Sequence, residues 1–162
     1  MNTVFIADDE LIIRQGIKCI IDWEQLGFEI IGEASNGEDA LNFILNKHPD
    51  LVLMDIRMPK MLGLDVVEAA RNKGFNGKVI ILSGYTDFKY AQAAIKNGVD
   101  YYLTKPIDED ELYETVDSIR SQISKEAEDK ETLSTYRDKA KSMILFDILT
   151  GTSTINNIDD MN

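Results

Sequence analysis

Five short apolar runs alternate along the chain with segments of helical periodicity, and this alternation limits the possible folds. The runs cover residues 3–7, 28–34, 51–54, 78–82 and 99–103. Strands that alternate with helices favour right-handed crossovers and a parallel sheet with helices on both faces. The sequence therefore predicts a doubly wound α/β domain of five strands.

The third run leads directly into a carboxylate. Val52-Leu53-Met54 precedes Asp55, and Pro59 follows four positions later. A continuous apolar run is typical of a central parallel strand that is covered on both faces. Pro59 cannot donate to a ladder, so the strand ends before it. Asp55 is thus expected at the carboxyl end of a strand, where open α/β sheets form their ligand crevice.

Three other runs also end at polar side chains. Asp8 and Asp9 follow the first run, Ser83 and Gly84 follow the fourth, and Lys105 follows the fifth. The carboxyl ends of parallel strands open on one edge of the sheet. We therefore expect these residues to meet Asp55 there, although nearly 100 positions separate the first from the last.

The acids at this edge predict a magnesium site. Crowded carboxylates repel one another, and a set of oxygen ligands indicates Mg²⁺ rather than zinc. Mg²⁺ usually takes one or two carboxylates and keeps several waters. We expect direct ligation by Asp9 and Asp55, an effect of Asp8 largely through water, and a contribution from the backbone carbonyl of Arg57.

With a metal to screen its charge, Asp55 can attack a phosphoryl group as a nucleophile. Lys105 supplies an ammonium group for the charge on the phosphoryl oxygens. Ser83 supplies a hydroxyl donor, and Gly84 supplies a backbone N–H that can approach closely. The hypothesis is that Asp55 is a phosphoacceptor.

Composition restricts the partners. The 162 residues carry a net charge of −12, which repels nucleic acid. Cys19 is the only cysteine, so an intrachain disulfide is excluded and a reducing, cytoplasmic setting is favoured. We interpret it as a buried core residue. No signal peptide and no apolar run of about 20 residues is present, so we expect no membrane contact.

The character of the sequence changes near residue 124. The apolar positions Leu112, Val116, Ile119 and Ile123 are spaced by four, three and four residues. This spacing fits either a heptad seam or one amphipathic helix that packs on the sheet before a polar linker. We predict a helical linker at 125–149 and a disordered tail at 150–162.

The combined motifs resemble the receiver domain of two-component response regulators, over residues 1–124. The matching positions are Asp8-Asp9, Asp55 with Met58-Pro59 and Gly63, Ser83-Gly84, and Tyr102 with Lys105-Pro106. The resemblance implies a flavodoxin-like fold with strand order 2-1-3-4-5 and a C-terminal helical extension. It implies Mg²⁺-dependent phosphorylation of Asp55 by a sensor histidine kinase. It also implies a cis bond between Lys105 and Pro106.

The resemblance further implies a switch. Ser83 turns towards the phosphoryl group and Tyr102 follows, which remodels the face made by the fourth helix, fifth strand and fifth helix. A homodimer through that face or through the linker helix is therefore expected. Leu62 is a departure, because many relatives carry an aspartate before the glycine that corresponds to Gly63.

Two stretches are most similar to receivers joined to AraC-type helix-turn-helix output domains. They are residues 82–91 and 98–106, and residues 145–151 are similar to a linker found after such receivers. No helix-turn-helix pattern follows before Asn162. We therefore expect DNA binding and transcription control to belong to an output domain that these residues do not include.

Two alternatives fit the sequence less well. A Mg²⁺-dependent phosphohydrolase with Asp55 as nucleophile would usually offer a second acid two residues later, where this chain has Arg57. A flavin-binding protein would need hydroxyls and glycines after the first strand, where Asp8 and Asp9 would repel the phosphate. We therefore expect a signalling domain and not an enzyme.

Overall fold

The computed structural model describes residues 1–84 and 88–150, and it shows a five-stranded parallel sheet in the order β2-β1-β3-β4-β5. Strands and helices alternate through the chain, which confirms the flavodoxin-like fold and the strand order. The elements are β1 (Asn2–Ala7), α1 (Leu11–Ile20), β2 (Phe28–Ala34), α2 (Gly37–Lys47), β3 (Leu51–Asp55), α3 (Gly63–Asn72), β4 (Lys78–Ser83), α4 (Phe88–Lys96), β5 (Tyr101–Thr104) and α5 (Glu109–Thr150).

The centre of the sheet is fully buried. Val4 to Ala7 in β1 and Leu51 to Met54 in β3 have no solvent exposure, as expected for parallel strands covered on both faces. Ala7 pairs with Met54, so the next residue of each strand brings Asp8 beside Asp55. The register of the sheet therefore sets the position of the acids.

Some boundaries differ from the sequence prediction. α1 ends at Ile20, because Ile21 is already extended. β5 begins at Tyr101 rather than at Val99. The Val99 N–H still donates to the carbonyl of Ala94 (3.0 Å), and Gly98 has φ +77°. These residues close the C-terminus of α4 before the strand can start.

Cys19 was interpreted wrongly, because it is exposed rather than buried. It lies two positions after the buried Ile17 on α1. Two helical positions differ by about 200° around the axis, so both side chains cannot face the core. Ile95 of α4 is likewise 78% exposed, one position after the buried Ala94.

The chain divides into two compact units, residues 1–120 and 121–162. In the first unit, Leu112, Val116 and Ile119 of α5 are fully buried, as the amphipathic reading predicts. In the second unit, α5 remains helical to Thr150, and the side chains of residues 124–131 are all exposed. The disordered tail was predicted for residues that lie, after Thr150, outside the described part of the chain. No described helix is long and apolar enough to cross a bilayer.

Arg71 joins several segments at the end of the sheet away from Asp55. Its guanidinium donates to the carbonyls of Phe75 (3.0 Å), Gly77 (2.7 Å) and Gly98 (2.9 Å). Burial lowers the pKa of Arg71, and the nearby carboxylate of Asp100 opposes this effect. The start of β4 and the turn before β5 are therefore both bound to the last turn of α3.

Candidate functional site

Asp8 is fixed through each of its polar groups. It is fully buried, and its N–H donates to the Ala34 carbonyl (3.1 Å), which extends the β1–β2 ladder by one residue. Its Oδ1 accepts from the Glu10 N–H (2.9 Å), and its own carbonyl accepts from Arg14 Nη1 (2.6 Å). The loop that carries the first acids is therefore anchored to β2 and to α1 by hydrogen bonds.

Lys105 joins the acids of β1 and β3. Its Nζ lies 2.7 Å from Asp8 Oδ2 and 3.4 Å from Asp55 Oδ1. The backbone N–H of Lys105 donates to the Ser83 carbonyl (2.7 Å), and the Lys105–Pro106 peptide is cis, as the resemblance implied. The ends of β1, β3, β4 and β5 thus meet at one place.

The start of α3 is packed directly against the backbone of Asp55. The Gly63 N–H donates to the Ile56 carbonyl (2.7 Å). A Cβ added at Gly63 would lie 1.9 Å from the Asp55 carbonyl oxygen. Only glycine leaves room for this approach, which explains a motif position that the resemblance gave without a reason.

The environment of Asp55 disfavours its charge. Asp55 is 7% exposed. Burial and the charge of Asp8 raise the pKa of Asp55 to about 6, and Lys105 only partly opposes them. Burial lowers the pKa of Lys105, but its hydrogen bond with Asp8 and the charge of Asp55 outweigh this and raise it overall. Lys105 therefore stays charged, and the site holds more negative charge than one ammonium neutralises.

The donor set fits a hard divalent cation. Carboxylate oxygens of Asp8, Asp9 and Glu10 lie within 4.8 Å of one another, and Asp9 and Glu10 are exposed. The ligand atoms are all oxygen, two of the three residues are open to solvent, and Lys105 contacts both Asp8 and Asp55. Glu10 was not among the predicted ligands. Its place in a run of three acids was the available signal.

The remaining residues of the predicted site lie around this centre. Ser83 is fully buried at the end of β4, next to Leu82, which pairs with Asp55. Tyr102 is half-buried and packs against the core. The side chain of Arg57 is exposed two residues after Asp55. Gly84 is exposed at the end of β4.

An apolar groove runs beside Lys105. It has a volume of about 390 Å³ and is formed by one face of α1 and by residues 105–107. Ile12 lines it and is 74% exposed, and the neighbouring Leu11 is 53% exposed. Large apolar side chains at the edge of an acidic site mark a surface that can bind another protein.

Comparisons of sequence agree with this geometry. Residues 4–117 match the family described as the response regulator receiver domain. The chain is 37% identical over 126 residues to the uncharacterized transcriptional regulatory protein YesN of Bacillus subtilis (strain 168), which is 78% of this chain and 34% of that protein. It is 45% identical over 112 residues to the transcriptional regulatory protein HptR of Staphylococcus aureus (strain NCTC 8325 / PS 47), which is 69% of this chain and 44% of that protein. The chain thus spans less than half the length of these relatives.

Solved structures share the same fold. The REC domain of AraT, a response regulator from Geobacillus stearothermophilus, has a TM-score of 0.73 and 42% identity, over 78% of this chain and 98% of that one. A chain of the CheX-CheY-BeF3-Mg+2 complex from Borrelia burgdorferi has a TM-score of 0.67 and 28% identity, over 73% and 88%. From the family match, the strand order and the acids that meet at the sheet edge, this chain belongs to the response regulator receiver domain family.

Proposed function

We propose that this receiver domain is a Mg²⁺-dependent phosphoacceptor and that Asp55 takes its phosphoryl group from a sensor histidine kinase. The observation that supports it most is the position of Lys105, between Asp8 and the buried Asp55. A carboxylate with a raised pKa, next to a fixed ammonium and an oxygen-ligand set, suits nucleophilic attack on phosphorus.

The proposed transfer exchanges one bond to phosphorus for another. A carboxylate oxygen of Asp55 attacks the phosphorus, the bond to the donor's histidine nitrogen breaks, and its electron pair stays on that nitrogen. Lys105 and the Ser83 hydroxyl donate hydrogen bonds to the phosphoryl oxygens. Asp9 and Asp55 would hold Mg²⁺ directly, with Asp8 acting through water and Arg57 through its carbonyl. When bound, Mg²⁺ neutralises negative charge on the carboxylates and phosphoryl oxygens.

We place the kinase on the apolar groove beside Lys105. A donor histidine must reach the same sheet edge as Asp55, and Ile12 and Pro106 provide the adjoining apolar surface. This surface offers contact area that does not depend on charge.

The effect of phosphorylation on the output is proposed to act through the face formed by α4, β5 and α5. Phosphorylation draws Ser83 towards the phosphoryl group, and Tyr102 changes its packing against the core. Ile95, exposed on α4, gives this face an apolar side chain for contact with a second copy of the chain. A dimer through this face or through the helical linker would control a DNA-binding output domain beyond the segment described here.

Mass spectrometry can test the acceptor. The protein is incubated with acetyl phosphate and Mg²⁺, and its intact mass is measured. We expect one phosphate adduct that is lost in Asp55→Asn and kept in Asp65→Asn, a matched change of an exposed acid on α3. An adduct that persists in Asp55→Asn contradicts the proposal. Continuous release of phosphate from several phosphate esters would favour a phosphohydrolase.

A further inference from the structure

Arg14 connects the acidic loop to two other elements. It lies in the first turns of α1, and its side chain is only 11% exposed. Its Nη1 donates to the Asp8 carbonyl (2.6 Å), and its Nε donates to Glu33 Oε1 on β2 (3.3 Å). The second carboxylate oxygen of Glu33 pairs with Lys18, one turn further along α1. One guanidinium therefore links α1, β2 and the end of β1.

The bond to Asp8 acts on the next residue. The Asp8 carbonyl and the Asp9 N–H belong to one rigid peptide plane, so a donor that fixes the carbonyl also fixes the backbone at Asp9. The Asp9 side chain is exposed, so burial does not hold it. Its direction therefore depends on the backbone that carries it.

Arg14 could also affect cation binding through its charge. This effect is opposite in sign to the effect of fixing the Asp9 backbone. A positive charge near the site would weaken cation binding, whereas a fixed Asp9 would strengthen it. Glu33 lies against the guanidinium and counters its charge. The hydrogen bond from Lys18 lowers the pKa of Glu33, with a further contribution from Arg14, so Glu33 stays ionised. The effect on geometry is therefore the larger one.

We propose that Arg14 is a positioning residue, which raises the affinity of the receiver domain for a divalent cation by fixing the Asp8–Asp9 peptide. This inference depends on the metal site that the proposed function assigns to Asp9 and Asp55. It adds a residue outside the acidic set, and it makes Glu33 the group that orients the guanidinium.

The experiment measures Mn²⁺ binding by electron paramagnetic resonance, with Mg²⁺ as competitor, in metal-depleted protein. We expect Arg14→Met and Arg14→Lys each to weaken binding about tenfold, as is typical when a group that orients a ligand is removed. Lys18→Met is the matched control. This variant removes Lys18, the other cation that pairs with Glu33, at an exposed site. The Mn²⁺ affinity should change by no more than about twofold.

A second measurement is made without metal. Amide hydrogen exchange at Asp9 and Glu10 should become faster in both Arg14 variants and stay unchanged in Lys18→Met. A purely structural role would lower the urea midpoint while the Mn²⁺ affinity of the folded protein stayed the same, and this would overturn the inference. Tighter Mn²⁺ binding by Arg14→Met would also overturn it, because the charge of Arg14 would then be its larger effect. Normal Mn²⁺ binding by Arg14→Lys would overturn it as well, because a positive charge at this position would then be sufficient.

Two controls separate this inference from the proposed function. If the wild-type protein binds no Mn²⁺, the proposed metal site fails. If it binds Mn²⁺ and both Arg14 variants bind equally well, only the role of Arg14 fails. Circular dichroism confirms folding, and Arg14→Lys alone decides the result if Arg14→Met does not fold.

Discussion

The ammonium of Lys105 lies 2.7 Å from Asp8 Oδ2, although 97 positions separate the two residues in the chain. Asp8 is fully buried, and a buried carboxylate needs such a partner. The same ammonium lies 3.4 Å from Asp55 Oδ1. One side chain therefore stabilises the charge of two strand ends, and its removal should affect both.

Lys105→Met should raise the pKa of Asp55 above its value of about 6. The lysine is the group that opposes the effects of burial and of Asp8, so its loss leaves them unbalanced. The pKa is measured by carbon-13 NMR titration of the Asp55 carboxyl group without metal. Lys47→Met, a change at an exposed position, is the control. An unchanged or lower pKa in Lys105→Met would contradict the electrostatics described for the site.

Asp55→Asn should stabilise the metal-free protein at pH 7. The folded-state pKa of Asp55 is about 6 and its ordinary value is 3.8, so the folded state binds the proton more tightly. The stability contributed by this group is present below pH 3.8 and is lost as the pH rises through 6. We expect a gain of about 1–3 kcal/mol at pH 7 that shrinks towards pH 4.

Urea unfolding in the presence of a chelator measures this gain at each pH. Mg²⁺ should reduce it, because a ligand of the folded wild-type protein stabilises that protein. A gain that is the same at pH 4 and pH 7 would show that the ionisation of Asp55 is not its cause.

Gly63→Ala should destabilise the protein by about 1–3 kcal/mol or more. The added Cβ would lie 1.9 Å from the Asp55 carbonyl oxygen, so the backbone of β3 or of α3 must move. Gly16→Ala is the matched control, because a Cβ there meets nothing within 4 Å, and a helical alanine should stabilise by about 0.5–1 kcal/mol. Equal urea midpoints for the two variants would refute the packing argument.

Ile12→Glu should separate the two kinds of phosphoryl donor. We expect transfer from the cognate kinase to fall about tenfold, because a central apolar contact is lost. Phosphorylation by acetyl phosphate, which needs no docking surface, should not change. Gln15→Glu adds the same charge at an exposed position of α1 that does not line the groove. Equal loss in both variants would indicate charge repulsion instead of docking on the groove.

Leu62→Asn should stabilise the domain by about 1 kcal/mol. Leu62 is the N-cap of α3, it is 47% exposed, and no side chain caps this helix end. An asparagine can accept from the first free N–H groups without adding charge to the acidic site. Leu62→Ala removes the exposed apolar group without adding a cap. A urea midpoint of Leu62→Asn no higher than that of Leu62→Ala would contradict capping.

The five strands could be predicted because each is a short apolar run with a marked end, whereas their order was implied by the resemblance to receiver domains. Val52-Leu53-Met54 before Asp55 defines both a central strand and its carboxyl edge, and the register then brings Asp8 beside Asp55. Side chains on helix faces were less predictable. Cys19 is apolar enough for a core position, but the phase of α1 directs it to solvent.

Arg14 could not be found from the sequence in the same way. An arginine in an amphipathic helix usually faces water, and its partner Glu33 lies 19 positions away on an edge strand. The contact depends on how α1 lies over β2, which no local pattern specifies. The packing role of Gly63 was equally hard to predict from the sequence, because its close approach to the Asp55 carbonyl exists only once α3 is packed.

The hydrogen bonds of Arg71 restrain the end of the sheet that lies away from Asp55. The guanidinium joins the last turn of α3 to the residues before β4 and to the turn before β5, at the end opposite to Asp55. That end is therefore held by three hydrogen bonds from one side chain. A rearrangement that begins at Ser83 would therefore move the N-terminus of α4 more than its C-terminus, which lies next to the residues that Arg71 holds.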